Sequence, residues 1–138
     1  VIRNRGAALI IQKEQIVLIK RIRNNEVYFV FPGGGIEENE TPKEATIREV
    51  YEELGVHVEI QKLVTKYEYK GTQYFYEARI IGGLFGSGKG EEFTRIDRGQ
   101  YIPVWIPIKE LLHLNIKPYE VAEMIVHRYK SMKSDDIQ

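Results

Sequence analysis

Cysteine is absent from the 138 residues. That excludes disulfides, thiolate metal sites and cysteine nucleophiles. It suits a reducing compartment, and a cytoplasmic location is expected. Net charge is absent as well, because twenty Lys and Arg balance twenty Asp and Glu. A balanced chain has no general electrostatic footprint for nucleic acid or an anionic membrane, so neither is expected as a partner. Long apolar runs are missing too. The opening VIRNRGAALIIQKEQIVLIKR is repeatedly broken by charge. It has no signal-peptide core and falls well short of the ~20 apolar residues of a membrane span. Histidine is sparse and dispersed, at His57, His113 and His127, and these read as structural or exposed. Ser87 and Ser131 have no partnered base, so a serine triad is not supported.

What remains is ordinary globular material, with 43% hydrophobic and 29% charged residues. The length fits one domain over residues 1–138. Ala7–Gln12 and Ile16–Arg21 are rich in Val, Ile and Leu and flank a polar KEQ, which predicts two strands and a tight turn. Val27–Phe31 predicts a third strand, ended by Pro32 and three glycines. Val56–Ile60, Gln73–Ile81 and Tyr101–Ile106 predict further strands, the last at an edge because of Pro103. Two helices are expected. Pro42–Leu54 opens on a Thr41/Glu44 capping box with Pro42 in the first position and stops at Gly55. Pro118–Lys130 carries a broad apolar face. The tail from about residue 131 is expected to be frayed. Strands and helices mix without strict alternation, which predicts an α/β fold with a mixed sheet flanked by helices.

The informative stretch is Gly33–Val56, GGGIEENETPKEATIREVYEELGV. Seven glutamates between Glu37 and Glu53 stand against Lys43 and Arg48. At helical spacing Ile47, Val50, Tyr51 and Leu54 form a core face, with Glu49, Glu52 and Glu53 opposite it. Like charges three and four residues apart destabilise a helix by about 0.2–0.5 kcal/mol per pair. A solvated acidic face is the blander explanation. A hard divalent cation would turn the repulsion into ligation. Gly33, Gly34 and Gly35 permit a turn whose exposed amides can meet an anion near the helix start. Together these features point to a metal-bridged phosphate site.

The stretch resembles the Nudix box, G-x5-E-x7-R-E-U-x-E-E-x-G-U with U a bulky aliphatic residue. Gly34, Glu40, Arg48, Glu49, Val50, Glu52, Glu53, Gly55 and Val56 match every specified position. The resemblance implies a Nudix-type α/β/α sandwich with a mixed sheet between helices. It implies hydrolysis of a diphosphate joined to another group, usually a nucleoside, with Mg²⁺ or Mn²⁺ as cofactor. By position, Glu49, Glu52 and Glu53 are the implied metal ligands, with the Gly33 carbonyl as a further one. Arg48 is implied to hold the glutamates, and Glu40 to brace the loop against Arg48. Nudix enzymes often add a carboxylate from a loop outside the box, and Glu92 is the better match, with Glu91 as fallback.

Other features carry weaker readings. GLFGSGKG over Gly83–Gly90 partly spells a phosphate loop, yet Gly90 replaces the magnesium-binding hydroxyl and no helix is predicted after it. Lys20, Arg21 and Arg23 form a basic cluster before the glycines. Arg21 and Arg23, with Gly34 and Gly35, are candidate substrate contacts. Tyr74, Tyr76 and Ala78 share one strand face, with core packing as the default and base stacking as the alternative. Within the enzyme reading, sanitation of a nucleoside triphosphate or oxidised nucleotide competes with cleavage of other nucleoside diphosphate derivatives. The rival class is a non-catalytic nucleotide-sensing Nudix module, which typically shows an eroded box. RNA processing is disfavoured by the balanced charge.

Overall fold

The computed structural model describes residues 2–88 and 99–137. The run expected as one strand, Ala7–Gln12, is used twice. It forms β1 (Arg5–Leu9) and then β2 (Ile11–Gln12), and the two belong to different sheets. Lys13 and Glu14 turn the chain at φ 48° and 66°, the backbone that a two-residue hairpin loop demands. β3 (Gln15–Arg23) follows, and Asn24 and Asn25 at φ 51° and 63° lead into β4 (Glu26–Val30). Asparagine visits this left-handed region more readily than most residues. β5 (Gly33–Gly35), α1 (Pro42–Leu54), β6 (Val56–Glu68), β7 (Thr72–Gly83) and β8 (Gln100–Pro107) come next. A 3-10 helix (Ile108–His113), β9 (Ile116–Lys117) and α2 (Tyr119–Ile137) complete the described chain. The backbone of the terminal segment, for which fraying is expected, runs in α2 past Lys130 to Ile137.

The fold is α/β, but the strands form two mixed sheets rather than one. The first has the order β5–β1–β7–β6, with β1 parallel to β7 and the other pairs antiparallel. The second has the order β2–β3–β4–β9, with β8 also on β3 and β4 parallel to β9. Side chains alternate across a strand, and here the alternation separates two cores. Ala7, Leu9, Ile16 and Leu18 meet Val121, Ala122, Ile125 and Val126 of α2. Ala8, Ile10, Val17 and Ile19 meet Val50 and Leu54 of α1. Burying one such Leu or Ile contributes about 1.5–3 kcal/mol, so the two faces of β1 and β3 hold a helix on each side. Pro103 sits opposite Ile19, and β3 is the one strand paired with β8 among the described residues. That is the edge position a residue without an amide proton requires.

Candidate active site

Helix α1 starts and stops where its sequence signals stand. The Thr41 hydroxyl accepts from the Glu44 amide at 3.1 Å, and the Glu44 carboxylate accepts from the Thr41 amide at 2.8 Å. Gly55 adopts φ 79° and donates its amide to the Tyr51 carbonyl at 2.9 Å. These caps fix the two ends of the helix.

The inward face differs from the expected one. Ile47 is 37% exposed and Tyr51 50%, whereas Glu49 and Glu53 are only 8% and 4% exposed, beside buried Val50 and Leu54. The physical reason lies in what the helix rests on. β1 and β5 present glycines to α1, so polar side chains fill space that larger residues would occupy. A Cβ on Gly6 would collide with Thr46, and a Cβ on Gly34 with the Glu49 carboxylate. Tyr51 turns outward and stacks on exposed His57, with ring centroids 4.5 Å apart.

The three glycines also differ from expectation. They form the buried strand β5, antiparallel to β1, not an exposed turn. The Gly33 amide donates to Glu53 Oε1 at 2.7 Å. The Gly35 carbonyl accepts from Arg48 Nη2 at 3.0 Å. Gly34 and Gly35 thus seat the acidic helix against the sheet.

Arg48 gathers the carboxylates. It binds Glu40 through two hydrogen bonds, Nε to Oε2 at 2.7 Å and Nη2 to Oε1 at 3.0 Å. Its Nη1 donates to Glu49 Oε2 at 2.9 Å and reaches Glu52 Oε1 at 3.4 Å and Glu37 at 3.8 Å. The expected brace from Glu40 to Arg48 is therefore present. The Glu40 hydrogen bond raises the pKa of Arg48 above its ordinary value, against an opposing effect of burial. The hydrogen bond from Arg48 likewise lowers the pKa of Glu40, again opposed by burial. The sign of the linkage follows. The stability that Glu40 contributes is fully present above its ordinary value of 4.5 and is lost as pH falls through the lower folded value. Denaturant titrations between pH 7 and pH 2–3 should therefore show a shallower acid loss in Glu40→Gln than in the parent chain. Equal slopes would remove Glu40 from the acid response.

Among the described residues, no three His, Cys, Asp or Glu side chains converge as a ready metal cage. Glu49 and Glu52 turn to Arg48, and Glu53 to the Gly33 amide. The chemistry of the donors nevertheless fits a hard divalent cation. All are oxygens, and Gly34 leaves the room that the Glu49 carboxylate occupies.

The model of the NUDIX domain matches residues 2–125. The chain belongs to the Nudix family. Solved structures share its fold. A Nudix hydrolase from Nitrosomonas europaea has TM-score 0.67 and 22% identity, over 80% of this chain and 76% of that one. A MutT described for Aliivibrio salmonicida and Vibrio cholerae has TM-score 0.69 and 20% identity, over 91% and 96%. An ADP-ribose pyrophosphatase from Streptococcus suis has TM-score 0.60 and 22% identity, over 79% and 76%. At these identities the likeness is one of fold. With its family and its intact box, the chain is an enzyme of the pyrophosphohydrolase type. No helix among the described residues is long and apolar enough to cross a membrane.

Around the Nudix box the basic cluster separates. Arg21 is buried on the strand face of Val17 and Ile19, which is the α1 side. Its guanidinium lies 3.6 Å from the Tyr101 ring centroid and 5.6 Å from that of Tyr28, and its Nε donates to the Gln100 carbonyl at 3.2 Å. Arg23 is exposed at the strand end, and Lys20 lies on the other parity. Glu91 and Glu92 lie outside the described residues, as do Lys89 and Gly90.

Sequence reasoning missed a cavity of about 520 Å³ lined by Arg5, Phe31, Tyr67, Gln73, Phe75 and Tyr119, among others. It abuts the Nudix box through β1, whose Arg5 and Ala7 pair with Gly35 and Gly33. Tyr76 and Ala78 are buried, as core packing predicts. Phe75, on the opposite parity, meets Phe31 edge-on at 5.6 Å and faces the cavity. Tyr67 donates to Glu120 at 3.1 Å across strands and helix. That bond raises the Tyr67 pKa, with burial adding to it. Phe31 and Phe75 come from distant parts of the chain, so no local pattern announces the cavity.

Proposed function

We propose that this Nudix enzyme hydrolyses a nucleoside diphosphate linked to a further group, with Mg²⁺ or Mn²⁺ as cofactor. The observation that carries the reading is the buried pair Glu49 and Glu53, gathered with Glu52 beside a strand made only of glycine. Burying carboxylates is costly unless cations or donors meet them. Here Arg48 and the Gly33 amide hold them in place. Glu49, Glu52 and Glu53 would hold the cation, with the Gly33 carbonyl as a further donor. A bound divalent cation screens the diphosphate charge and acidifies water.

The remaining roles belong to the chain itself. Arg48 keeps the glutamates in register, and Glu40 keeps Arg48 in place. Glu92 takes the proton of the attacking water, since a carboxylate engaged with a cation is a poor base. Water then attacks one phosphorus in line and the bridging oxygen leaves on the other phosphoryl group. Arg23, exposed at the strand end, attracts the phosphates, and buried Arg21 adds positive charge behind it. The cavity over buried Phe31 and Phe75 takes the base or sugar, with exposed Tyr119 as the ring free to stack, where an aromatic face is worth about 1–3 kcal/mol per stacked base. ADP-ribose, named for one structural neighbour, belongs to this class.

The test is a panel of nucleoside triphosphates, oxidised nucleotides, nucleotide sugars, ADP-ribose and dinucleoside polyphosphates, incubated with and without Mg²⁺ or Mn²⁺. Mass spectrometry in ¹⁸O water identifies the products and the phosphorus attacked. Metal-dependent cleavage of at least one member is expected. The metal alone should also raise the melting temperature, because an ion that binds only the folded cluster shifts unfolding. The shift should shrink in Glu49→Gln. Tight nucleotide binding without turnover would replace the enzyme with a sensing module.

A further inference from the structure

The glycine-rich segment after β7 resembles a phosphate loop in sequence, but its described part is built against the acidic helix. The last carbonyls of any helix lack intrahelical partners. Here they find them in this segment. The Gly86 amide donates to the Leu54 carbonyl at 2.8 Å, and the Leu84 amide to the Gly55 carbonyl at 3.1 Å. The Ser87 hydroxyl and amide close the turn on the Leu84 carbonyl at 2.6 and 3.1 Å. Gly88 then lies flat on the backbone of Glu52 and Glu53. A Cβ there would collide with the Glu53 carbonyl group and stand 2.6 Å from the Glu52 oxygen. The approach is reciprocal. A Cβ on Gly55 would collide with the Ser87 hydroxyl and stand 2.9 Å from the Gly88 amide nitrogen.

We infer that Leu84–Gly88 is a brace that positions Glu52 and Glu53 by capping the end of α1, and that Gly88 is a positioning residue for the site. The role rests on the reading of these glutamates as the cation-holding set. Backbone contact is the means, so position 88, which lies on the helix backbone, requires glycine. At Gly86 the added Cβ would meet nothing within 4 Å. There the left-handed φ of 91° is the reason for glycine. The brace also accounts for GLFGSG without a bound phosphate.

A displacement of about 1 Å in a catalytic group can cost ~10²-fold in rate. Gly88→Ala is therefore expected to lower kcat by ~10²-fold with little change in KM, and to raise the Mn²⁺ concentration for half-saturation. Gly82→Ala is the control. Its Cβ would meet only the His57 ring, at 3.9 Å, and its kinetics should match the parent chain. A separate readout needs neither substrate nor metal. Hydrogen exchange of the Glu52–Gly55 amides should accelerate at least about tenfold in Gly88→Ala, as local opening of the last turn becomes easier, while the first turns of α1 stay protected. Unchanged exchange together with parental kcat and Mn²⁺ requirement would overturn the brace. If Gly88→Ala does not fold, Ser87→Ala decides. Losing one hydrogen bond should weaken Mn²⁺ binding roughly two- to fivefold, and parental Mn²⁺ binding and exchange would reject the inference. A parent chain that cleaves no member of the substrate panel would reject the hydrolase reading instead, and the exchange experiment would still judge the brace.

Discussion

Glu53→Gln is expected to lower kcat by ~10²–10³-fold, the range for removing one electrostatic element of a preorganised site. The fold should survive. Glutamine keeps the shape of the side chain and an oxygen that can accept from the Gly33 amide, now 2.7 Å from Glu53 Oε1. The change removes one negative charge from a crowded helix, which relieves repulsion. On the proposed reading it also removes one ligand for the cation. Melting temperature without metal should therefore stay close to that of the parent chain, while the metal-induced increase shrinks. Glu52→Gln should behave similarly, with a still smaller structural effect because Glu52 is more exposed than Glu53. A Glu53→Gln protein with parental kcat would sink the ligand role. One that simply unfolds would make Glu53 a structural residue of the β5 contact.

Arg48→Ala should produce the largest loss of stability among the box variants. The guanidinium faces Glu40, Glu49, Glu52 and Glu37 within 2.7–3.8 Å. Removing one partner of a buried ion pair costs about 3–5 kcal/mol, because the other charge is left desolvated. Arg48 keeps a quarter of its side chain in solvent, so the expected loss is about 2–3 kcal/mol. Denaturant unfolding measures it directly. The variant should also gain less melting temperature from Mg²⁺ than the parent chain does, since the carboxylates proposed to hold the ion lose the guanidinium that keeps them in register. A larger response to Mg²⁺ in Arg48→Ala would mean that Arg48 competes with the ion and does not help to form the metal site. Turnover should fall in either case, because the glutamates lose their register.

Much of α1 is legible from local signals. Thr41, Glu44, Pro42 and Gly55 act on the backbone within a few residues, and the helix bounds match them. The bond from Glu40 to Arg48 is legible through the motif, since both positions belong to it. The burial of Glu49 and Glu53 is not. Hydrophobic periodicity assigns Ile47 and Tyr51 to the core, because it weighs each side chain by its own chemistry and ignores the neighbour. The neighbour here is a pair of strands carrying Gly6 and Gly34, which accept a hydroxyl and a carboxylate where a larger side chain would clash.

The α/β class, the family, the capped acidic helix and the set of acids on it are all readable in the chain. Each of these depends on residue identity and spacing along one segment. Folding in three dimensions divides the strands into two sheets, makes the three glycines a strand, buries Arg21 between two tyrosines and brings Phe31 and Phe75 to one cavity. It also lays Gly88 on the backbone of Glu53. These arrangements join residues far apart in the chain. Close packing selects such contacts by shape and burial, and a local pattern carries no record of which distant surface it will meet.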